Sequence, residues 1–310
     1  MINKYKHFFI ILFIAFFFIG CLEAKSEQKN GFDISNAIID KNQIFSGGPP
    51  KDGIPAINNP KFVNLEEVGY LKDDDIIIGV VEGDIAKAYP TRILIWHEIV
   101  NDSIKDKNIV VTYCPLCGTA MVFERDIAEI TRTFGVSGLL YQSDVLMYDK
   151  QSDSLWSQLA MEAVSGKAVG SKLKWIKSKH MTWATWKKKY PNSLVLSIHT
   201  GFYRNYFTNA YDSYFKSDKT MFPVNKNRTE LPQKSWVIGV MVNGISKAYS
   251  IDKLEKETMI KDTISGINIR VSYDKEKKQH IVIDNKGEQI PSVLVYWFAW
   301  QAFYPKTLLW

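Results

Sequence analysis

A diverged internal repeat is the feature of this sequence that most constrains its fold. Aligned with itself at an offset of 160 residues, without gaps, the chain has 15 identities in the 50 positions of 76–125 against 236–285. Ile78-Gly79-Val80 matches Ile238-Gly239-Val240, for example. Repeats at one fixed offset indicate repeated structural units, and two copies so far apart favour pseudo-symmetric halves over a solenoid.

Both copies have the pattern of β-strands. The β-branched runs Ile76–Val81 and Trp236–Val242 each end at a turn signal, and Ile109–Tyr113 and Ile267–Tyr273 follow at the same offset. We therefore predict a mainly β fold with minor helices, one of them at Thr182–Tyr190. The predicted fold is a single domain with two pseudo-symmetric diverged repeat copies, at about 62–126 and 223–290.

The first residues have the features of an export signal. Lys4 and Lys6 precede the apolar run Phe8–Ile19, which is too short to span a bilayer, and Gly20-Cys21 follows. This segment resembles a bacterial lipoprotein signal, in which the cysteine becomes the lipidated first residue. The alternatives are an uncleaved anchor, or an ordinary signal peptide in which Cys21 has no special role.

The lipoprotein interpretation predicts where the protein lies and how the chain is divided. We expect a cell-envelope protein that faces the periplasm or the extracellular side, with the membrane as partner through an acyl anchor on Cys21. Nucleic acid is excluded as a partner, because the net charge of +6 comes without a Lys/Arg block or a nucleic-acid motif. The predicted segments are a signal peptide (1–20), a tether (21–45) and a folded domain (46–310), the last with a first repeat (62–126), a middle segment (127–222), a second repeat (223–290) and a closing segment (291–310).

Two cysteines carry most of the chemical information in the sequence. Asp274–Lys278 is a plain polar turn in the second copy, so the alignment places Cys114-Pro115-Leu116-Cys117-Gly118 at the tip of a β-hairpin. Such a turn resembles the metal knuckle of rubredoxins and zinc ribbons. The alternatives are a redox dithiol, an inert disulfide or free thiols, although a bridge that closes so small a loop stabilises a fold little.

His97 is the predicted third ligand, because it lies just before the strand that leads to Cys114. At the repeat offset, His97, Cys114 and Cys117 correspond to Glu257, Asp274 and Lys277, while Gly79, Tyr89 and Asp102 are retained. A difference at these positions within a common frame suggests a function held by one copy. Two thiolates and an imidazole suit one copper, zinc or iron ion, with an open or unidentified fourth position.

Other polar residues are weaker candidates. Glu98 and Asp102 could act as a catalytic base or support a metal ligand, but Asp102 has the counterpart Asp262, which favours a structural role. His180 is expected to be structural or on the surface. His280 aligns with Ala120 and is expected to be exposed on its hairpin.

Several motifs in combination resemble the bacterial domain-of-unknown-function family 3179. They are His97–Asp102, Tyr113–Thr119 and Phe134–Leu139, with Trp297–Trp300 near the end of the chain. The resemblance implies a family but no established activity, so function has to be argued from the site. We expect a metal-binding lipoprotein whose metal site could serve a redox or hydrolytic enzyme. The alternatives are a thiol–disulfide oxidoreductase and a non-catalytic metal-binding module. The sequence leaves open whether the protein is an enzyme.

Overall fold

Short β-branched and aromatic runs form most of the regular structure. A computed structural model describes residues 27–225, 228–257 and 259–310. The helices are α1 (Thr91–His97), α2 (Trp183–Lys189), α3 (Asp212–Phe215), α4 (Ile251–Leu254) and α5 (Trp297–Phe303), with 3-10 turns at Lys41–Gln43 and Leu65–Glu67. The strands are β1 (Gln28–Lys29), β2 (Phe32–Asp33), β3 (Ile44–Ser46), β4 (Phe62–Val63), β5 (Ile76–Glu82), β6 (Ile85–Pro90), β7 (Ile99–Ile104), β8 (Lys107–Cys114), β9 (Thr119–Glu124), β10 (Asp126–Ile127), β11 (Ile130–Thr131), β12 (Phe134–Tyr141), β13 (Asp144–Asp149), β14 (Leu155–Ser157), β15 (Glu162–Ser165), β16 (Lys174–Ile176), β17 (Lys179–Thr182), β18 (Leu194–Leu196), β19 (Trp236–Val242), β20 (Ile245–Ser250), β21 (Ile260–Ile264), β22 (Ile267–Asp274), β23 (Gln279–Asp284), β24 (Ser292–Tyr296) and β25 (Leu308–Leu309).

Five small sheets form a ring like a five-bladed propeller, with 42% of residues in strands and 12% in helices. The predicted mainly β fold with minor helices is therefore confirmed. Among the described residues, no helix is long and apolar enough to cross a bilayer. The strand orders within these five sheets are β17-β5-β6-β18-β4, β16-β9-β8-β7, β15-β14-β13-β12-β3, β24-β19-β20-β25 and β21-β22-β23. The pairs β1-β2 and β10-β11 form two further two-stranded sheets.

The two repeat copies have the same succession of elements. Strands β5, β6, β8 and β9 of the first copy correspond to β19, β20, β22 and β23 of the second, each displaced by the repeat offset at both ends. The pairing registers agree as well, since Gly79 faces Ala88 as Gly239 faces Ala248. The predicted hairpin is also confirmed: β8 ends at Cys114 and β9 begins at Thr119.

The duplication extends beyond the segment that the ungapped alignment detects. In both copies a strand, a short helix and a second strand complete the sheet: β17, α2 and β18 in the first, β24, α5 and β25 in the second. A Cβ on Gly79 would come within 2.0 Å of Trp186 in α2, and one on Gly239 within 2.4 Å of Trp300 in α5. Helix α5 in the closing segment is thus the counterpart of helix α2. Thr182, the first residue of the predicted helix Thr182–Tyr190, is the N-cap of α2.

The copies meet through reciprocal contacts. Thr182 N–H donates to the Lys277 carbonyl (3.0 Å), and at the equivalent place Tyr296 N–H donates to the Cys117 carbonyl (2.9 Å). Each copy therefore offers its outer strand to the hairpin of the other. This reciprocity is the mark of a two-fold interface, here within one chain. The sheet β12–β15 comes between the repeated parts of the first copy and has no counterpart in the second.

Candidate metal centre

The C-P-L-C-G turn joins β8 to β9 and is buried. Cys114 and Cys117 are 1% and 0% exposed, and neither is in a disulfide. Gly118 ends the turn with a φ of 67°, a left-handed conformation that glycine adopts without steric cost. The turn therefore holds two free thiols inside the largest hydrophobic cluster of the protein.

A second hairpin tip, between β12 and β13, meets this turn. Gln142 and Ser143 both have positive φ angles, of 53° and 64°, so the chain reverses within two residues and β13 starts at Asp144. The Cys117 thiol donates to the Ser143 carbonyl at 3.3 Å. The site is therefore formed between two adjacent sheets, one in the first repeat copy and one in the inserted segment.

Cys114, Cys117 and Asp144 form a compact cluster at this junction. One ligand atom from each of these residues lies within 4.8 Å of the other two, and no other His/Cys/Asp/Glu group of three or more satisfies this among the described residues. The backbone N–H of Leu159 donates to Asp144 Oδ2 at 3.1 Å. Asp144 Oδ1 is buried without a hydrogen-bond partner in the described part of the chain. The cluster thus contains a carboxylate oxygen that accepts no N–H or O–H hydrogen bond from the described residues, with the two thiols beside it.

Burial suppresses ionisation throughout the cluster. It raises the pKa of Asp144 to about 7, against the lowering effect of the Leu159 N–H, and it raises the pKa of the Cys114 thiol. Burial also raises the pKa of Cys117 well above the ordinary value, and the neighbouring Cys114 and Asp144 add to that effect. Without a cation the two thiols stay protonated near neutral pH and Asp144 is only partly ionised, whereas a bound cation would stabilise the charged forms of all three.

His97 lies outside the cluster, and hydrogen bonds occupy both of its nitrogens. Nδ1 is 2.7 Å from the Pro55 carbonyl oxygen, and Nε2 is 2.7 Å from the Tyr206 hydroxyl. A carbonyl can only accept, so Nδ1 carries the proton and Nε2 accepts from Tyr206. Burial lowers the pKa of His97 to about 4, consistent with a neutral ring. The structure does not bring together the expected ligand set of His97, Cys114 and Cys117; it places Asp144 beside the thiols instead.

The two candidate carboxylates occupy different environments. Glu98 is 6% exposed, and burial, with a smaller contribution from the charge of Asp144, raises its pKa to about 8. It lines a cavity of about 120 Å³ together with Leu116 of the cysteine turn. Asp102 instead accepts hydrogen bonds from Tyr89 (2.6 Å) and Lys87 (2.8 Å).

The Asp102 arrangement recurs in the second copy, where Asp262 accepts from Tyr249 (2.6 Å) and pairs with Lys247 (2.5 Å). A carboxylate with the same two partners in both copies is part of the scaffold. Glu98 is therefore the candidate carboxylate that lies near the thiols.

Other side chains fix the cysteine turn in place. Thr119 Oγ1 donates to Gln158 Oε1 at 2.6 Å, and Gln158 Nε2 donates to Thr112 Oγ1 at 2.7 Å, so one amide joins β8 and β9. The Tyr214 hydroxyl donates to the Leu116 carbonyl at 2.7 Å. These contacts hold the thiols in position whether or not an ion is bound.

Asp144 is the site residue that sequence reasoning missed. It belongs to the inserted segment, which the repeat comparison does not cover, and it lies 27 positions beyond Cys117. One feature of the sequence points to Asp144: it is an isolated acidic residue between the apolar runs Leu139–Tyr141 and Val145–Tyr148. A carboxylate inside a buried strand needs a partner, and that requirement could have marked it.

Comparison with known proteins agrees with the motifs in the sequence. Residues 51–307 match the family described as "Protein of unknown function (DUF3179)". The chain belongs to this family. No curated protein and no solved structure matches it. Membership in the DUF3179 family therefore supplies no activity, and the geometry of the site has to carry the functional argument.

Proposed function

We propose that the protein binds one transition-metal ion through Cys114, Cys117 and Asp144. The supporting observation is that three ligand atoms from two different hairpin tips lie within 4.8 Å of one another, all in buried residues. Three ligands around one ion, at bonds of about 2.0–2.3 Å, are separated by roughly 3–4 Å, so small adjustments suffice.

The energetics of burial support a cation at this place. Folding places two thiols and a carboxyl in a hydrophobic cluster, which costs free energy unless their polar atoms are satisfied. Asp144 Oδ1 has no partner among the described residues. A divalent ion would use that oxygen and both sulfurs, and its charge would offset the desolvation of the three anions.

Zinc fits this donor set best. Two thiolates with one carboxylate are ordinary zinc ligands, whereas copper(I) prefers sulfur and imidazole donors, and His97 is not in the cluster. Iron(II) is the next candidate. Three protein ligands leave a fourth position for water or a substrate, as in catalytic zinc sites, and Glu98 beside the neighbouring cavity is the nearest candidate for proton transfer.

A thiol–disulfide exchange function is the alternative, because the two sulfurs are unbonded and adjacent. Exchange requires an accessible thiolate. Both thiols are buried, and burial raises the pKa of each. These properties favour metal binding over exchange.

Metal content tests the proposal. Protein purified anaerobically from its native compartment should carry about one ion per chain by elemental analysis, and Cys114→Ser, Cys117→Ser and Asp144→Asn should each lose most of it. The matched changes Asp274→Asn and Lys277→Ala, at the equivalent turn of the second copy, should retain the ion. A metal-free protein with a measurable Cys114–Cys117 reduction potential would instead establish the exchange function.

We also propose that the protein is a lipoprotein of the cell envelope, anchored to the membrane through an acylated Cys21. The support is the Gly20-Cys21 boundary after the apolar run, and both lie outside the described residues. Cys21→Ser should leave the precursor unprocessed and change its membrane fractionation. Unchanged processing and fractionation would contradict the lipid anchor.

A further inference from the structure

A cavity of about 470 Å³ lies where the two repeat copies meet. Its walls include equivalent positions of the two copies. Three such pairs are Ile76 and Trp236, Tyr113 and Tyr273, and Gly118 and Lys278. Equivalent residues can surround one space only if that space lies near the pseudo-two-fold axis. The cavity is therefore a product of the duplication, separate from the cluster of Cys114, Cys117 and Asp144.

The cavity is lined by tyrosines whose hydroxyls make no hydrogen bond with the described residues. Tyr113 and Tyr296 are 8% and 5% exposed, and neither hydroxyl makes a hydrogen bond with any described residue. The Tyr273 hydroxyl, also in the wall, makes none with the part of the chain that the structure describes. In contrast, Tyr89 and Tyr249 each donate to a buried aspartate. These hydroxyls are not among the buried unpartnered atoms of the described residues, so they are open to solvent and can donate to a ligand that has acceptor atoms.

The charge in the cavity is positive. Lys278 is the charged residue in its lining, and no aspartate or glutamate lines it. The neighbouring Lys275 and Lys277 pair with Glu255 and Asp274, whereas the Lys278 ammonium has no carboxylate within ion-pair distance in the described part of the chain. His180 in the wall is neutral, because burial lowers its pKa to about 3. The charge in the lining is therefore positive and lies on the exposed side chain of Lys278, which favours an anion beside that residue.

The walls favour a flat apolar body. The rings of Trp236 and Tyr296 pack at a tilt of 38° with their centroids 4.2 Å apart, and Phe215 also lines the space. Several lining side chains, including Trp236 and Tyr273, are partly exposed, so a ligand can enter from solvent. The volume lies within the usual range for small-molecule sites, about 300–1,000 Å³.

We propose that this cavity binds a small organic anion with a planar aromatic body, such as an aromatic carboxylate. The carboxylate accepts hydrogen bonds from the Lys278 ammonium and the tyrosine hydroxyls, and the ring packs against Trp236. Binding in this cavity needs no metal ion at the cysteine turn.

Calorimetric titration of the full-length chain with 2-naphthoate and with its neutral analogue 2-naphthamide tests the proposal. Naphthoate should bind with a Kd below about 1 mM, and the amide about fivefold or more weakly, as expected for a partly exposed ion pair. Lys278→Met should weaken naphthoate binding about fivefold and leave the amide unchanged. Tyr273→Phe should weaken naphthoate binding through the lost donor.

Lys275→Met is the matched control, because it removes the same charge from the same turn outside the cavity. It should leave naphthoate binding unchanged. Absence of naphthoate binding, equal affinity for the amide, or equal losses in the two lysine variants would overturn the proposal. So would binding that disappears after chelation, since the carboxylate would then be a ligand of the metal.

Discussion

Trp236 of the second repeat copy lies directly against Gly118 of the cysteine turn in the first. A Cβ added to Gly118 would come within 2.3 Å of the Trp236 ring. The same ring packs at a tilt against Tyr296 and lines the cavity between the copies. One aromatic side chain therefore separates the two proposed sites and closes one side of the turn that holds the thiols.

This contact predicts the effect of Gly118→Ala. The substitution forces alanine into a left-handed conformation and against a large ring, so it should lower the free energy of unfolding by at least about 2 kcal/mol. Gly266→Ala is the matched control, since Gly266 also has a positive φ but nothing within 4 Å of its Cβ position. Urea denaturation measures both. Equal losses of unfolding free energy in the two variants would show that the Trp236 ring moves aside without destabilising the fold.

His97→Ala should destabilise the fold but leave the metal content unchanged. The change leaves the Pro55 carbonyl and the Tyr206 hydroxyl without this partner in a buried place, which costs about 2–4 kcal/mol. Glu257→Ala, at the equivalent position of the second copy, should change neither quantity. Loss of the ion with little loss of stability would restore the expected ligand set of His97, Cys114 and Cys117.

Asp102→Asn and Asp262→Asn test whether Asp102 belongs to the scaffold. Each removes the charge that holds a tyrosine and a lysine together, and both should destabilise the fold, by about 1–3 kcal/mol. Asp102→Asn should cost more, since its side chain is 8% exposed against 18% for Asp262. Metal content should not change in either. If Asp102→Asn alone abolished a measured activity, its role would be catalytic.

The acid sensitivity of the fold should depend on His280. The prediction that His280 is exposed is wrong: the residue is 7% exposed, because β23 packs against β17. This burial lowers the pKa of His280 to about 4. As the pH falls below about 6.5, His280 is therefore protonated in the unfolded chain but stays neutral in the folded chain. Between pH 6.5 and 4 this group should reduce stability by up to about 1.4 kcal/mol per pH unit, and above pH 6.5 it should have no effect.

His280→Leu should flatten the loss of stability between pH 7 and pH 4.5, and urea denaturation at several pH values measures it. His199→Leu is the control, since His199 is exposed. The same slope in His280→Leu and the unmodified chain would contradict the assignment.

The repeat at a fixed offset determined much of the fold in advance. It located β5, β6, β8 and β9 with their partners in the second copy, and it placed Cys114 and Cys117 at a hairpin tip. These features depend on local patterning: alternating β-branched runs, turn residues and a shared register. The ungapped alignment did not detect the second half of the duplication, because the inserted sheet changes the offset between equivalent residues. Trp186 and Trp300, which pack on equivalent glycines, therefore lie outside the ungapped alignment.

The sequence by itself determined a mainly β chain with two related copies and a pair of cysteines at a hairpin tip in one of them. Only the tertiary structure decided what surrounds those thiols. Asp144 reaches them because the tip of β12–β13 meets the tip of β8–β9, and His97 does not because Pro55 and Tyr206 hold its ring. The pattern of one strand fixes which face is buried, but the neighbour of a hairpin tip depends on how whole sheets pack around the ring.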